Sequence, residues 1–222
     1  MHSAIIIGMG GLGCPASLAL AQAKLQRLTL VDGDRVELSN LPRQPWYGTA
    51  DVGRPKVEVC RERLEEAFPA LTVASLCERV EPDGVDALLR GHDVAIDGTD
   101  NVSAKYCLSD AVARTGVSVI SGGVVQFEAR AFRIAPGGPC LRCLFGDAPA
   151  EEDVPNCGRA GVLGAMAGVA GALQARLALL PNGPPGEAPL HVVDARGELR
   201  FRVLRIRQVP GCVGCGALRA QA

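Results

Sequence analysis

The sequence predicts an α/β protein: a Rossmann-like, mostly parallel sheet with an antiparallel C-terminal extension and a four-cysteine zinc knuckle pair. Three observations predict it. The chain opens on a strand, a glycine turn, a helix and a second strand ending in an acid, Ala4 to Asp34. Apolar runs then alternate with amphipathic segments, the pattern of repeated βαβ units. Two Cys-x-x-Cys pairs, Cys140/Cys143 and Cys212/Cys215, stand in Pro/Gly-rich surroundings.

The opening unit carries the first chemistry. Ala4 to Ile7 is a short apolar run, followed directly by Gly8-Met9-Gly10-Gly11-Leu12-Gly13. A small-residue helix is expected from Pro15 to about Leu25, then a strand from Leu28 to Val31 stopping on Asp32. Glycines at such a turn let backbone N–H groups approach a phosphate at a helix N-terminus, where the dipole favours negative charge. An acid about 20 residues on can bind ribose hydroxyls. The unit therefore predicts nucleotide binding at Gly8, Gly10, Gly11, Gly13 and Asp32. Taken alone, it fits a dinucleotide site of the NAD(P) oxidoreductase kind equally well.

Arg35 to Gln44 holds Pro42, is followed by Pro45, and is expected to form no regular element. The segment follows a strand's carboxyl end, where ligands sit in open α/β sheets. It reads as a solvated connector, or as a loop whose Asn40, Arg43 and Gln44 reach a nucleotide. Lys56 opens an amphipathic helix running to about Phe68, with Val57, Cys60, Leu64 and Phe68 on one face. A cation at a helix N-terminus is disfavoured by the dipole. Lys56 is therefore either an ordinary exposed lysine or one that shares its place with an anion.

The following elements are a strand at Leu71 to Leu76, a short helix at Val85 to Leu89 and a buried strand at Asp93 to Ile96. Asp97-Gly98-Thr99-Asp100-Asn101 then forms a second acidic cluster at a strand end. Carboxylates there suit Mg²⁺, which prefers oxygen ligands. Thr99, Asp100 or Asn101 equally suits the cap of the helix Val102 to Arg114. After a strand at Val117 to Ser121, Val124 to Ile134 reads as an antiparallel hairpin. Residues 146–160 read as a mobile crossover loop, acidic and proline-containing, with Cys157 near its end. A long helix, Gly161 to Leu180, carries Gly161, Gly164, Gly168 and Gly171 in a stripe that implies close approach to a neighbour, a dimer partner being one candidate. A Pro/Gly loop at 181–189 and a strand pair, Leu190 to Val193 with Leu199 to Arg205, complete one domain over 1–222.

Bulk properties narrow the class. A net charge of −1 gives no case for nucleic-acid or anionic-membrane binding. No apolar run reaches the roughly 18 residues of a membrane span. Met1-His2-Ser3 begins no basic or cleavable apolar leader, so the expected location is cytoplasmic. Nine cysteines, an odd number, argue against a simple disulfide set, and paired Cys-x-x-Cys in a reducing compartment points to metal. Four thiolates fill every tetrahedral position of Zn²⁺ and leave no water to activate, so Cys140, Cys143, Cys212 and Cys215 predict a structural site.

Several motifs occur in order: Gly8 to Gly13, Asp32-Gly33-Asp34, Ser39 to Gln44, Gly53-Arg54-Pro55-Lys56, Asp97 to Asn101, Gly138 to Phe145, Asn156-Cys157 with Gly161 to Gly164, and Cys212 to Cys215. This series resembles the ThiF/MoeB/HesA family, bacterial relatives of ubiquitin-activating E1 enzymes, along almost the whole chain. The resemblance implies binding of ATP and Mg²⁺ and adenylation of the C-terminal Gly-Gly carboxylate of a small ubiquitin-like sulfur carrier, of thiamine or molybdopterin type, with release of pyrophosphate. It places Gly11 at the phosphates, Asp32 at the ribose, and Asn40, Arg43 and Lys56 at the triphosphate and its developing charge. Asp34, Ser39 and Gln44 belong to the same nucleotide set. Asp100 holds Mg²⁺ with Asn101 beside the nucleotide, and Cys157 falls where some members carry a thiol that takes up the carrier.

The implied partners are the carrier, a separate sulfurtransferase or cysteine desulfurase, and a second copy in a homodimer. Family members usually carry an N-terminal arm whose arginine reaches the partner's ATP, and only seven residues precede Gly8 here. The alternative reading is accordingly a non-catalytic homologue that binds a carrier or dimerises.

Overall fold

The computed structural model describes residues 1–150 and 161–216. Eight strands form one sheet: β1 (Ser3–Ile7), β2 (Arg27–Val31), β3 (Thr72–Leu76), β4 (Val94–Asp97), β5 (Ser118–Val125), β6 (Glu128–Ile134), β7 (Glu187–Asp194) and β8 (Arg200–Arg207). Their spatial order is β3-β2-β1-β4-β5-β6-β7-β8. The pairs from β3 through β5 are parallel, and β6, β7 and β8 continue antiparallel. The expected mixed sheet is therefore present.

Among the described residues, six α-helices cover the sheet: α1 (Gly13–Gln22), α2 (Lys56–Ala67), α3 (Val85–Leu89), α4 (Val102–Thr115), α5 (Leu141–Phe145) and α6 (Gly164–Ala178). One face packs Ile6, Leu28, Leu30 and Ile96 against Leu20, Leu64 and Ala175 of α1, α2 and α6. The other packs Ile5, Ile7, Val119 and Phe132 against Leu89 and Leu108 of α3 and α4. β1 is buried at all five positions. That is why Ala4 to Ile7 reads as a continuous apolar run rather than an alternating one: a central parallel strand is covered on both faces.

Four sequence expectations need correction. Leu38–Arg43 is a 3-10 helix with Pro42 inside it, not an irregular loop. Asn40 N–H donates to Glu37 O and Gln44 N–H to Leu41 O, while Ser39 O, which Pro42 has no N–H to serve, accepts from the Arg43 guanidinium. β5 runs straight through Gly122 and Gly123 to Val125, and the hairpin turns at Gln126 and Phe127, with Gln126 at φ 53°. β7 begins at Glu187 and takes in Pro189, so the Pro/Gly loop is shorter than 181–189. The long helix begins at Gly164, because Gly161 has φ 68° and Val162 bridges to Gln126.

The glycine stripe meets neighbours within this chain. A Cβ on Gly171 would lie 2.3 Å from Leu12 O and 2.8 Å from Pro15 Cγ, at the crossing of α6 with α1. One on Gly164 would meet Pro42 O at 2.9 Å. Gly168 faces open space. Two substitutions should therefore move stability in opposite directions. Gly168→Ala should stabilise by up to about 1 kcal/mol through helix propensity. Gly171→Ala should destabilise by about 1–3 kcal/mol, because the backbone oxygen of Leu12 cannot rotate away. Urea unfolding midpoints of the two variants test this, and equal shifts would refute the α1–α6 contact.

Candidate nucleotide cleft and cysteine cluster

A cleft of about 480 Å³ opens at the carboxyl ends of β1, β2, β3 and β4. Its floor is the glycine turn between β1 and α1. Gly13 packs so tightly that a Cβ there would lie 1.9 Å from Gly8 O, and one on Gly98 would lie 2.6 Å from the same oxygen. Gly8, Gly10 and Gly11 line the cleft, whereas Gly13 lies behind it.

The turn is held from both sides. Met9 N–H donates to Asp32 Oδ2 at 2.6 Å, and Met9 O accepts from the Tyr47 hydroxyl and the Cys14 thiol. Cys60 completes this buried cluster, 3.2 Å from Tyr47 Oη and 3.4 Å from Cys14 Sγ. Burial raises both the Cys14 thiol and the Tyr47 phenol, so each stays protonated as a donor near neutral pH. Asp32 also accepts from Asp34 N–H through Oδ1. Burial lifts its pKa, and nearby Lys56 opposes the lift.

Lys56 is 5% exposed, with Nζ 3.1 Å from Asp34 Oδ2. Its anion in this structure is thus Asp34. Arg43 reaches the cleft from the end of the 3-10 helix, where its guanidinium donates to Ser39 O. Gln44 is buried against Gly10, and its Oε1 has no hydrogen-bond partner among the described residues. Ser39 and Asn40 are not on the cleft wall. Ser39 donates to Glu37, and Asn40 donates to Ser39.

The second acidic cluster divides. Asp97 is fully buried and accepts from Thr99, Ser121 and Lys105, the last at 3.0 Å. Lys105 also donates to Gly122 O. Gln174 from α6 donates to the carbonyls of Asp97 and Ile120, closing the ends of β4 and β5. Asp100 is exposed on the cleft wall, and Asn101 caps α4 by accepting from Ala104 N–H at 2.7 Å.

The structure adds one cleft segment the sequence analysis missed, the loop Glu78 to Glu81 after β3. Arg79 in this loop lies 3.3 Å from Asp34. Its only sequence signal is a charged run at the end of an apolar strand. Only the pairing of β3 with β2 shows that this end faces the nucleotide cleft.

Outside the cleft lining, Cys140, Cys143, Cys212 and Cys215 converge, with all four sulfurs within 4.8 Å of one another. The Sγ separations are 3.6 Å for Cys140–Cys212, 3.5 Å for Cys143–Cys215 and 4.0 Å for Cys140–Cys143. Val209 N–H and the Gln208 amide point at the sulfurs of Cys143 and Cys215. A tetrahedron with metal–sulfur bonds of about 2.3 Å has edges of about 3.8 Å, so this donor set fits a metal ion. Cys157 lies outside the described residues.

The buried pair at β4 allows a test. Lys105→Met keeps the stem and removes the charge that faces Asp97. Loss of one partner from such a pair should cost about 3 kcal/mol or more. Calorimetric or urea unfolding checks this, and wild-type stability would mean that Asp97 is held by its hydroxyl and amide donors alone.

Known proteins resemble this chain along most of its length. The ThiF family model matches residues 2–181. The SAMP-activating enzyme E1 of Haloferax volcanii is 37% identical over 215 residues, covering 96% of this chain and 79% of that protein. The sulfur carrier protein adenylyltransferase of Thermus thermophilus is 37% identical over 223 residues, covering 96% and 82%. The crystal structure of Escherichia coli MccB with ATP superposes with a TM-score of 0.77 at 20% identity, over 97% of this chain and 67% of that one, a likeness of fold. The family match runs from the first strand through the glycine cleft to the far end of α6, and the relatives extend it almost to both ends: this chain belongs to the ThiF family.

Proposed function

We infer that the protein is an ATP-dependent adenylyltransferase that activates the C-terminal Gly-Gly carboxylate of a small ubiquitin-like sulfur carrier. The observation that carries the reading is the convergence of Lys56, Arg43, Asp100 and the glycine turn on one cleft of nucleotide size. An NAD(P) dehydrogenase needs the glycine turn and the acid but not two cations beside them. The relatives named above are activating enzymes and adenylyltransferases.

The residues fit the chemistry. The carrier carboxylate attacks the α-phosphorus of ATP. The bond to the β-phosphate oxygen breaks, and an acyl-adenylate and pyrophosphate result. Such a transfer asks the protein for alignment and charge stabilisation rather than covalent help. Backbone N–H groups of Gly10 and Gly11 approach the phosphates because no side chain stands in the way. Asp32 meets the ribose hydroxyls. Arg43 offers a planar donor fork, and Lys56 a point charge. The unpartnered Gln44 Oε1 is an acceptor waiting on the cleft wall. Mg²⁺ held by Asp100 would offset phosphate charge and orient the triphosphate. The fit of Ser39 and Asn40 to the nucleotide is weaker, since neither lines the cleft.

The metal at the four cysteines is proposed to be structural Zn²⁺, which would tie the C-terminal tail to α5. The remaining proposals are a homodimer, a separate sulfur-supplying protein, a cytoplasmic location and a carrier-accepting role for Cys157. No helix among the described residues is long and apolar enough to cross a membrane.

Two measurements test the reading. Carrier-dependent ATP–pyrophosphate exchange should fall by about 10²-fold or more in Lys56→Ala and in Arg43→Ala. Lack of exchange in the wild type with every Gly-Gly carrier of the source genome would refute the assignment. Metal analysis should find one zinc per chain, and its removal by a strong chelator should lower the melting temperature. Protein expressed with ample zinc yet holding none would refute the structural metal.

A further inference from the structure

We propose that Arg79 is a positioning residue that sets nucleotide affinity by drawing the Asp34 carboxylate away from Lys56. The proposal rests on the ATP-binding reading above. It starts from charge. Among the described residues, five carboxylates and three cationic side chains line the cleft. A polyphosphate entering it therefore depends on every cation being free to face it.

Lys56 is the enclosed cation of the three. Its side chain is 6% exposed, and Asp34 Oδ2 sits 3.1 Å from Nζ. Ammonium charge directed at Asp34 is not available to a phosphate. Asp34 is the movable member of the pair, with a half-exposed side chain against the buried stem of Lys56. The other carboxylate oxygen, Oδ1, faces Arg79 Nη2 at 3.3 Å. One carboxylate is thus shared between a cation inside the cleft and a cation at its rim.

The placement of Arg79 is built into the backbone. Its stem lies over Gly33, where a Cβ would come within 2.7 Å of Arg79 Cγ and 3.0 Å of Arg79 N. Any side chain at position 33 would push the arginine off Asp34. β3 pairs with β2 in parallel register, which brings the loop after Leu76 beside the loop after Val31. Arg79 competes with Lys56 for Asp34, and a phosphate competes with Asp34 for Lys56. Removing Arg79 leaves Asp34 to Lys56 alone and weakens the nucleotide.

The test is a double-mutant cycle read by calorimetric titration of the full chain with Mg²⁺ and a non-hydrolysable ATP analogue. Arg79→Met keeps the stem over Gly33 and removes the charge. It should weaken binding by about three- to five-fold, the scale of one exposed ion pair. Arg79→Lys should keep most of the affinity. In an Asp34→Asn background, Arg79→Met should have no further effect, since there is no carboxylate left to draw away. In pyrophosphate exchange the loss should appear in the KM for ATP rather than in kcat.

Wild-type affinity in Arg79→Met would overturn the proposal. So would an equal loss in both backgrounds, which would mean that Arg79 touches the nucleotide itself. A wild-type protein that binds no adenine nucleotide would remove the ATP reading and this proposal with it, whereas failure of the cycle alone leaves that reading standing.

Discussion

The architecture depends on one place where no side chain can exist. The backbone at Gly8 crosses Gly13 and Gly98 so closely that a Cβ on either would fall 1.9 or 2.6 Å from Gly8 O. That crossing ties together the end of β1, the start of α1 and the loop after β4. Because the three segments meet there, the first peptide units of α1 face the same space as Asp32 and Asp100. Gly8 itself has φ 92°, a conformation other residues adopt at a cost, so the turn excludes a side chain by dihedral as well as by space. Met9, between these glycines, has its N–H and carbonyl both bonded, to Asp32 and to Tyr47. The turn is rigid before any ligand arrives, which is the form of preorganisation phosphate binding needs.

Four aspartates stand around this crossing, and burial decides what each can do. Asp97 is sealed in the protein and engaged by Lys105, Ser121 and Thr99, so it holds the end of β4 in place. Asp32 accepts two peptide N–H groups and shapes the turn and its own loop. Asp34 faces Lys56 and Arg79. Asp100 is exposed at the cleft wall beyond the cap of α4, a placement that suits a hydrated cation. The paired acids of the motif Asp97 to Asn101 therefore separate into one structural carboxylate and one open to ligand, two roles set by environment rather than by residue type.

Much of this was legible in the residues, for physical reasons that differ from element to element. The central strands carry apolar runs because both of their faces are covered, and the short helix Val85–Leu89 falls where its pattern put it. The cysteine pairs announce themselves by spacing, and the structure brings all four together. Pro42 misled, because a proline inside a six-residue segment reads as a break, whereas here the Arg43 guanidinium serves the Ser39 carbonyl that the proline leaves without a backbone donor. The glycine stripe declared close approach but not to what: Gly171 and Gly164 meet α1 and the 3-10 helix of the same chain. Arg79 carries no periodicity or motif, and its meaning comes from which strand lies beside which, a long-range fact that local patterns do not hold.

The cysteine cluster explains how the antiparallel end of the sheet is kept. β8 is exposed at every position except Ile206, so it buries little apolar surface of its own. α5 has five residues, too few to persist by helix propensity. Arg142 braces this helix by pairing with Asp110 of α4 at 2.9 Å and lying over the Tyr106 ring at 5.3 Å. Two weakly held segments, one on each side of a long sequence gap, thus meet at four sulfurs. A metal held there would close a loop that spans α6, β7 and β8, and closure of a long loop restricts the unfolded chain most. Metal–thiolate bonds would then secure the edge of the sheet where the hydrophobic core runs out, while the cleft at its centre is left to the glycine crossing.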